Sequence, residues 1–319
     1  MNAECPHSLS VIIPVRNRAS VVGRTLQSVA AQTVPPHELI LVDNGSTDGT
    51  AAVLRSFAQS HPELHVTVAA EPQPGACAAR NRGLAMARGE WVAFFDSDDV
   101  MHPTLLQSYQ QCICRHGGSV DLVMAQGRII GTDGRLLRRM PLFAADCLAQ
   151  HLLHGMLSTQ CYAARRSLVE AAGGWDATLP RWQDYELGVR LLLARPRVAV
   201  AGRQVLVDVM RSGEESITGT SFSRHHAQLE RALDVVEADI ARSARPDSRR
   251  LQRLVDFRRL TLAAHYQREG QPQLARPLLR RALAGITPSP LLRAALLWLY
   301  RRIAAGRRGS ARLARHLLH

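Results

Sequence analysis

Short apolar runs alternate with amphipathic stretches over the first hundred residues of the chain. A run of four to eight apolar residues bounded by polar ones is typical of a buried strand, whereas apolar residues three and four positions apart are typical of a helix. The first helical pattern begins after Ser20, a residue type that can cap a helix N-terminus, and continues to Gln32. Strands and helices that alternate at this spacing predict βαβ units and a mainly parallel sheet. The predicted strands are residues 9–14, 38–43, 65–70 and 91–96.

Three carboxylates crowd the end of the fourth predicted strand. The apolar stretch from Trp91 to Phe95 runs directly into Asp96, Asp98 and Asp99. Like charges at this spacing repel one another, and a divalent cation would hold them together, because Mg²⁺ and similar ions bind one or two carboxylates along with phosphate oxygens. A solvated Asp-rich turn that caps the next helix is the alternative interpretation.

Two other predicted strands end in residues that can join these carboxylates. Pro14 and Asp43 end the first and second strands, and ligands of parallel sheets bind at the carboxyl ends of the strands. We therefore expect both residues on one rim with Asp96, which favours the cation site. No G-x-G-x-x-G follows the first strand and no G-x-x-x-x-G-K-[ST] occurs, so phosphate would be held by the metal and by side chains. On the third predicted helix we favour Arg80 over Arg82 for this role, although an arginine there can also simply face solvent.

The last hundred residues differ in charge from the rest of the chain. The 319 residues carry a net charge of +13, and the chain contains arginine but no lysine. Residues 1–219 hold 20 arginines and 20 acidic residues, whereas residues 220–319 hold 20 arginines and 7 acidic residues. The change in composition thus predicts a neutral globular domain at 1–219, which contains the candidate rim residues, and a basic region at 220–319. Nucleic acid is not an expected partner, because aromatic residues are scarce and no recognition motif is present.

The C-terminal region has the apolar spacing of helices from about Ser223 onward. A later segment resembles one tetratricopeptide-like hairpin with Gly270 at its turn, and we interpret it only as a helix pair. Residues 291–319 form a basic amphipathic pattern suited to an anionic membrane surface, and the alternative is a helix packed on the catalytic domain with its arginines in solvent. The first predicted helix of this C-terminal region has one apolar face, formed by Leu229, Leu233, Val236 and Ile240.

Features of the chain ends and of the cysteines bear on localisation. The chain opens without a secretory signal pattern, and it has no apolar stretch of the length that spans a membrane. The six cysteines form no C-x-x-C pair, and Cys112 and Cys114 would diverge on a helix, which argues against zinc. Free thiols in a reducing compartment are expected. We therefore expect a cytoplasmic protein that is at most peripheral on the inner face of the cell membrane.

Four sequence blocks together resemble the family 2 glycosyltransferases. They are VIIPVRN, LILVDNGSTDGT, GACAARNRGLAMARGEWVAFFDSDD and GGWDATLPRWQDYELGVRL, and the resemblance covers roughly residues 9–218. It implies an α/β fold of the GT-A nucleotide-diphosphosugar transferase type, followed here by the C-terminal α-helical region. It also implies transfer of a sugar, with inversion, from a nucleotide-diphosphate sugar donor, with a divalent cation (Mn²⁺ or Mg²⁺) as cofactor.

The resemblance assigns donor and metal roles to the rim residues. Asp96 and Asp98 match the D-x-D motif, with Asp98 favoured as the direct metal ligand and Asp99 adjacent. The family often has tyrosine where this chain has Arg16, so the guanidinium plane would stack on the base instead. The residues that the resemblance places against the donor are Pro14, Arg16, Asp43, Arg80, Asp96 and Asp98.

A second set of roles concerns the acceptor side. Asp184 matches the catalytic base, although on spacing alone it could equally be a surface acid or a helix cap. Glu186 is the second candidate, but two positions along a helix it points roughly the other way. Trp182 could stack on a sugar face or belong to the core. Arg211 could contact the diphosphate in a segment where many relatives carry a histidine that this chain lacks, which leaves the third metal ligand unassigned.

The sequence therefore predicts a metal-dependent inverting glycosyltransferase of bacterial surface polysaccharide or glycolipid synthesis. A carboxylate cluster would serve the leaving diphosphate, and a separate carboxylate would take the proton of the acceptor hydroxyl. The expected partners are a nucleotide-diphosphate sugar, a saccharide or lipid-linked acceptor and an anionic membrane surface. Two other classes stay open: a nucleotidyltransferase, which would need a Gly-rich, Lys-bearing phosphate loop, and a non-catalytic scaffold that binds partners through its helical tail.

Overall fold

The structure is a computed structural model that describes residues 7–211, 221–286 and 289–307. The chain divides into two compact units. The sheet unit is built from Met1–Ala145, Met156–Thr178 and Ala194–Ser216, and the helical unit from Asp146–Gly155, Leu179–Leu193 and Ile217–His319. Two short segments from the middle of the chain thus pack with the C-terminal helices. The division of function at residues 219 and 220, drawn from composition, stays a prediction.

The sheet unit contains one mixed nine-stranded sheet. Its strand order is β3-β2-β1-β4-β8-β6-β9-β5, with β7 paired to β6. The four strands β3-β2-β1-β4 are parallel to one another, as the alternation of strands and helices predicts. The strands are β1 (Leu9–Val15), β2 (Glu38–Asp43), β3 (Val66–Ala70), β4 (Trp91–Phe94), β5 (Val100–Met101), β6 (Leu122–Ile130), β7 (Leu136–Arg139), β8 (Tyr162–Arg165) and β9 (Val198–Met210).

The helices of this unit cover the sheet with their apolar faces. The predicted cap at Ser20 is wrong, because the first helix begins at Val22, with Val21 as its N-cap and no side-chain capping bond. The expectation of free thiols holds for Cys77, Cys112, Cys147 and Cys161 but is wrong for Cys114, which is disulfide-bonded. The helices are α1 (Val22–Ala30), α2 (Thr50–Ser60), α3 (Ala76–Met86), α4 (Leu105–Arg115) and α6 (Arg166–Ala171).

In the part of the chain that the structure describes, the helical unit packs six α-helices, and its apolar pattern agrees with the sequence. The four predicted apolar residues of its first long helix are all buried. Gly270 has a φ of +75° at the turn between the two helices of the predicted pair, a conformation that glycine adopts without strain. The helices are α5 (Cys147–His154), α7 (Gln183–Leu193), α8 (His226–Arg242), α9 (Ser248–Arg268), α10 (Pro272–Ile286) and α11 (Pro290–Ala304).

Helix α11 uses most of its predicted apolar face for packing inside the helical unit. Leu296 and Leu299 are fully buried, and the helix packs on α9. Leu291 and Trp298 stay exposed, and the Trp298 ring lies beside Arg302 of the last turn. This packing lies within the C-terminal region, so both interpretations of the tail, membrane surface and packing on the catalytic domain, stay predictions. The remainder of the amphipathic pattern, residues 308–319, lies outside the described residues. No helix in the described ranges is long and apolar enough to cross a membrane.

The register of the parallel strands aligns their carboxyl ends. Val15 of β1 lies opposite Asp43 of β2, and Ile12 lies opposite Phe94 of β4. Asp96 follows Phe94 by two positions and so reaches the level of Pro14. The predicted rim is thus a consequence of strand pairing.

Candidate active site

The loops after β1 and β2 are tied to each other by side-chain hydrogen bonds. Asn17, which has a φ of +50°, accepts a bond from the Thr47 backbone N–H at 2.8 Å, and its own N–H donates to Ser46 Oγ at 3.0 Å. The Asp43 carboxylate accepts the Ser46 N–H at 3.1 Å. Because these bonds fix both loops, Asp43 faces the rim from a defined turn.

Asn44 organises the rim in a way that the sequence did not indicate. This buried side chain donates to the carbonyls of Glu71 and Gln73 at 2.9 and 2.7 Å and accepts the Gly75 N–H at 2.8 Å. These three bonds hold the loop that leads into α3. The only sequence signal was the Asn-Gly turn pattern, which predicts a turn but not a support for a neighbouring loop.

Arg80, and not the exposed Arg82, reaches the carboxylates, as predicted. The side chain of Arg80 is buried, and its Nη2 donates to Asp96 Oδ1 at 2.7 Å. Its guanidinium carbon lies 4.4 Å from the centroid of the Trp175 ring. Asn81 bonds both the N–H and the carbonyl of Trp175, each at 2.8 Å, so the ring is held in place under the guanidinium. The Arg80 guanidinium is therefore held by two contacts, with the Trp175 ring that it lies over and with the Asp96 carboxylate to which it donates.

The carboxylates after β4 lie in different environments. Asp99 is buried and accepts the Met210 N–H at 2.7 Å, and its carbonyl accepts the Thr25 hydroxyl at 2.8 Å. Burial, followed by the negative charges of Asp96 and Asp98, raises the pKa of the Asp99 carboxyl well above its ordinary value. The crowding of charge that the sequence predicts is therefore present, and Asp99 serves as an internal anchor between the loop and β9.

Asp96 and Asp98 offer the kind of donor set that a hard divalent cation takes. Both keep partial exposure at the rim, unlike the buried Asp99. The described residues contain no cluster of three His, Cys, Asp or Glu that could surround an ion. Mg²⁺ and Mn²⁺ do not need one, because one or two carboxylates together with phosphate oxygens and water complete their coordination. The residues present fit such an ion on condition that a phosphate-bearing ligand supplies the other oxygens.

The remaining rim residues differ in exposure. Pro14 is buried within β1 and pairs with Val42, whereas Arg16 is exposed beyond the strand end. Arg211 is exposed at the end of β9, where its N–H donates to the Ile130 carbonyl at 2.9 Å. The rest of the segment around Arg211 in which many relatives carry a histidine, residues 212–216, lies outside the described residues.

In the helical unit, Asp184 occupies the first turn of α7. A carboxylate at this place is stabilised by the positive end of the helix dipole. Trp182, directly before the helix, has a φ of +54°, and a bulky residue in the left-handed region costs about 1–3 kcal/mol of strain. Such strain persists only where surrounding contacts hold it. The start of α7 is therefore a constrained backbone, and Asp184 is partly exposed on it.

Glu186, on the same helix turn, has a structural environment. Its side chain is 1% exposed and forms a two-point ion pair with Arg190, one contact of which is 2.7 Å. A hydrogen bond to Glu186 also lowers the pKa of Asp239, which burial raises. Because its carboxylate is buried and paired, Glu186 fastens α7 to α8, and Asp184 is the more accessible of the two acids.

Arg258 of α9 lies against the residues that flank Asp184, and nothing in the sequence pattern pointed to it. Its guanidinium carbon is 4.9 Å from the Trp182 ring centroid and 5.4 Å from that of Tyr185. Its Nη1 donates to the Leu153 carbonyl at 3.0 Å. Trp182 therefore packs under a cation of its own unit, and a role on a sugar face stays a prediction. A single arginine among the 20 of the C-terminal region carries no sequence signal that would distinguish it.

The comparison with known families identifies the class of protein. The family described as glycosyl transferase family 2 matches residues 10–171. The chain belongs to this family. The matched range contains Asp43, Arg80, Asp96 and Asp98, and it ends before Asp184 and Arg258.

Two individual relatives are described as biosynthesis glycosyltransferases. The chain is 32% identical over 194 residues to the amylovoran biosynthesis glycosyltransferase AmsB of Erwinia amylovora, which is 57% of this chain and 63% of AmsB. It is 43% identical over 91 residues to the putative teichuronic acid biosynthesis glycosyltransferase TuaG of Bacillus subtilis, which is 28% of this chain and 36% of TuaG. The chain thus matches less than two thirds of the length of these relatives.

Solved structures confirm the predicted fold class. The structure of S. aureus TarS 1-349 in complex with UDP-GlcNAc superposes with a TM-score of 0.71 at 18% identity, over 93% of this chain and 87% of TarS 1-349. The structure of the mannosyltransferase PcManGT from Pyrobaculum calidifontis, in complex with GDP-Man and Mn²⁺, superposes with a TM-score of 0.55 at 20% identity. The superposition covers 94% of this chain and 83% of PcManGT. At these identities the likeness concerns the fold alone. It confirms the GT-A type fold with a C-terminal helical region.

Proposed function

We propose that the protein transfers a sugar from a nucleotide-diphosphate sugar to a hydroxyl of a saccharide or lipid-linked acceptor, with inversion, in bacterial surface polysaccharide or glycolipid synthesis. The observation that carries the proposal is the partly buried contact between Arg80 and Asp96 at the carboxyl ends of the parallel strands. It places the positively charged guanidinium of Arg80 beside accessible carboxylates, at the edge where a parallel sheet binds ligands. A donor that carries both phosphate and hydroxyl groups fits such mixed charge.

In this proposal the rim residues bind the donor. Pro14, Arg16 and Asp43 would meet the nucleoside, and Arg80 would neutralise phosphate charge as the diphosphate departs. Asp96 and Asp98 would hold a divalent cation, which supplies Lewis-acid stabilisation of the leaving diphosphate when bound. Arg80 keeps Asp96 oriented in the free protein, so the carboxylate does not have to be reorganised when the donor arrives.

Asp184 is the proposed general base. Inversion requires a single in-line attack by the acceptor hydroxyl, and a carboxylate within hydrogen-bonding reach must accept its proton. Asp184 is partly exposed and lies in the first turn of a constrained helix, whereas the carboxylate of Glu186 is buried and paired with Arg190. The PcManGT complex with GDP-Man and Mn²⁺ and the TarS complex with UDP-GlcNAc support the expected donor class and cofactor.

Calorimetry with a panel of nucleoside diphosphates tests the donor and metal roles together. We expect one member to bind, with an affinity that rises at least tenfold when Mn²⁺ is present. Asp98→Asn should remove this metal dependence, and Asp133→Asn, at an exposed acid of the same unit, should keep it. If no nucleotide binds, or if binding is the same with and without Mn²⁺, the proposed donor site is wrong.

For localisation we propose a cytoplasmic protein that touches the inner face of the membrane through α11. Leu291 and Trp298 are exposed there, and the Arg302 guanidinium carbon lies 4.9 Å from the Trp298 ring centroid. Apolar side chains next to arginines suit an anionic lipid surface. Replacing Leu291 and Trp298 by serine should weaken sedimentation with anionic vesicles, while the same change at the exposed Leu136 and Leu137 should not. Equal loss in both variants would contradict the assignment to α11.

A further inference from the structure

Arg258 makes an unusual set of contacts for an arginine of a basic helical region. Its guanidinium lies over the rings of Trp182 and Tyr185, and its one hydrogen bond within the described residues is to a carbonyl, that of Leu153. Its Nε is buried and has no hydrogen-bond partner in this part of the chain. A side chain placed only to form ion pairs would face a carboxylate directly, so these contacts call for another explanation.

The two aromatic residues bracket the candidate base along the chain. Trp182 lies two positions before Asp184, and Tyr185 follows it directly. The rings of Trp182 and Tyr185 are 5.5 Å apart at their centroids, and the guanidinium touches both. Since Trp182 has a left-handed backbone that needs external support, one cation stabilises both the strained residue and the first turn of α7.

The same arginine connects this turn to helix α5. The Tyr185 hydroxyl donates to the Leu152 carbonyl at 3.0 Å, and Arg258 donates to the next carbonyl along, that of Leu153. These carbonyls belong to the last turn of α5, where the helix dipole favours a positive charge. Tyr185 is thereby held from α5 and from α9, and the backbone that carries Asp184 has little freedom to rotate.

We propose that Arg258 is a positioning residue for Asp184. It fixes the aromatic residues that precede and follow Asp184 along the chain, and so sets the direction in which the carboxylate meets the acceptor hydroxyl. This inference rests on the proposed function, since it takes Asp184 as the base. It assigns part of the acceptor side to a helix that lies beyond the range matched by the family. Its general basis is that a small displacement of a catalytic group costs a large factor in rate.

The charges in this unit are consistent with that role. Burial lowers the pKa of Arg258, and the nearby Tyr185 and Asp184 oppose this effect. The attraction between the guanidinium and Asp184 is mutual and adds to the orienting contacts. Other charged or titratable groups of the helices packed around the start of α7 include His151 on α5, Glu186 and Arg190 on α7, Asp239 on α8, and Arg259 and His265 on α9.

A double-mutant cycle on the full chain tests the proposal. The turnover number kcat is measured at saturating donor and acceptor for the unmodified protein, Arg258→Met, Asp184→Asn and the double variant. We expect Arg258→Met alone to lower kcat by about 10- to 100-fold with donor affinity unchanged. In the Asp184→Asn background the same change should lower the residual rate less than threefold, because the base to be positioned is already absent. A purely structural role would lower both backgrounds by the same factor.

Controls separate this outcome from unfolding and from failure of the proposed function. Arg253→Met, at an exposed arginine of the same helix, should leave kcat unchanged. Arg258→Lys keeps the charge but loses the planar stack, and we expect it to restore part of the rate; it also replaces Arg258→Met in the cycle if the latter does not fold. Equal effects in both backgrounds, or no effect of either Arg258 variant, would overturn the inference alone. Full activity of Asp184→Asn would overturn the base assignment and the inference with it.

Discussion

The carboxylates at the rim of the sheet unit and the carboxylate in the helical unit are held by different means. Asp96 is placed by strand pairing and kept in orientation by one buried arginine on the adjacent helix α3. Asp184 is placed by three helices, α5, α7 and α9, whose contacts meet at Trp182 and Tyr185. The position of a site at a sheet edge can therefore follow from topology, whereas the position of a carboxylate on a helix start depends on side chains from distant parts of the chain.

The largest expected effect separates the two carboxylate sites by function. Asp184→Asn removes a proton acceptor but keeps the size and polarity of the side chain, so kcat should fall by about 10²- to 10⁴-fold while donor affinity changes little. Asp98→Asn should instead weaken metal-dependent donor binding. The measurement is kcat for each variant together with calorimetric donor affinity. The distinction between the two sites would be lost if both variants impaired donor binding equally.

The same comparison of the two carboxylate sites shows which site residues could be predicted from the sequence. Asp43, Asp96 and Arg80 were predictable, because the ends of neighbouring parallel strands meet at one edge and because a helix turn brings Arg80 to that edge. Arg258 was not predictable, since it lies on a helix with many arginines and its contact with Trp182 depends on the packing of helices far apart in sequence. The positive φ of Trp182 was also not predictable, because local sequence preferences disfavour a left-handed backbone at a bulky residue.

The boundary of the helical unit also depends on packing between segments that are far apart in sequence. Charge composition divides the chain near residue 219, but α5 and α7 pack with the C-terminal helices. Composition reports on surfaces, whereas this packing is decided by buried residues such as His151 and Glu186. In contrast, the apolar period of α8 was enough to predict which of its residues are buried, because period alone fixes the face of a helix.

The helical unit should also respond to acid through His151. This fully buried imidazole lies 2.9 Å from the Tyr185 carbonyl, and burial lowers its pKa from 6.5 to about 4. The unfolded chain therefore binds a proton more readily than the folded one. The stability that depends on the neutral form is complete above pH 6.5 and is lost as the pH falls from 6.5 towards 4, by on the order of 3 kcal/mol.

The measurement for His151 is the free energy of unfolding between pH 7.5 and 4. His151→Gln can donate to the same carbonyl without titrating, so its stability should be less steep over this range than that of the unmodified protein. Near neutral pH the unmodified protein should be the more stable of the two, because Gln does not reproduce the packing of the ring against Tyr185. Parallel curves for the two proteins would show that His151 does not control the acid response.

The smallest expected effect concerns packing in the sheet unit, where two helical glycines form a matched pair. A Cβ on Gly83 of α3 would lie 2.3 Å from Ile12 Cγ2, whereas a Cβ on Gly23 of α1 would have no atom within 4 Å. Gly83→Ala forces α3 away from β1 and should destabilise the protein by about 1–3 kcal/mol. Gly23→Ala should be neutral or stabilise by up to about 1 kcal/mol, since alanine loses less backbone entropy in a helix.

The glycine pair tests whether the rim depends on this close approach. Arg80 lies on α3 one turn before Gly83, so a displaced helix should also loosen the contact of Arg80 with Asp96. We therefore expect Gly83→Ala to weaken donor binding as well as stability, and Gly23→Ala to change neither by more than a small amount. Denaturant unfolding and donor calorimetry on both variants provide the measurements. If Gly83→Ala lost stability but kept full donor affinity, the rim would be held by its loops and strand ends, and the support that α3 gives through Gly83 would be dispensable.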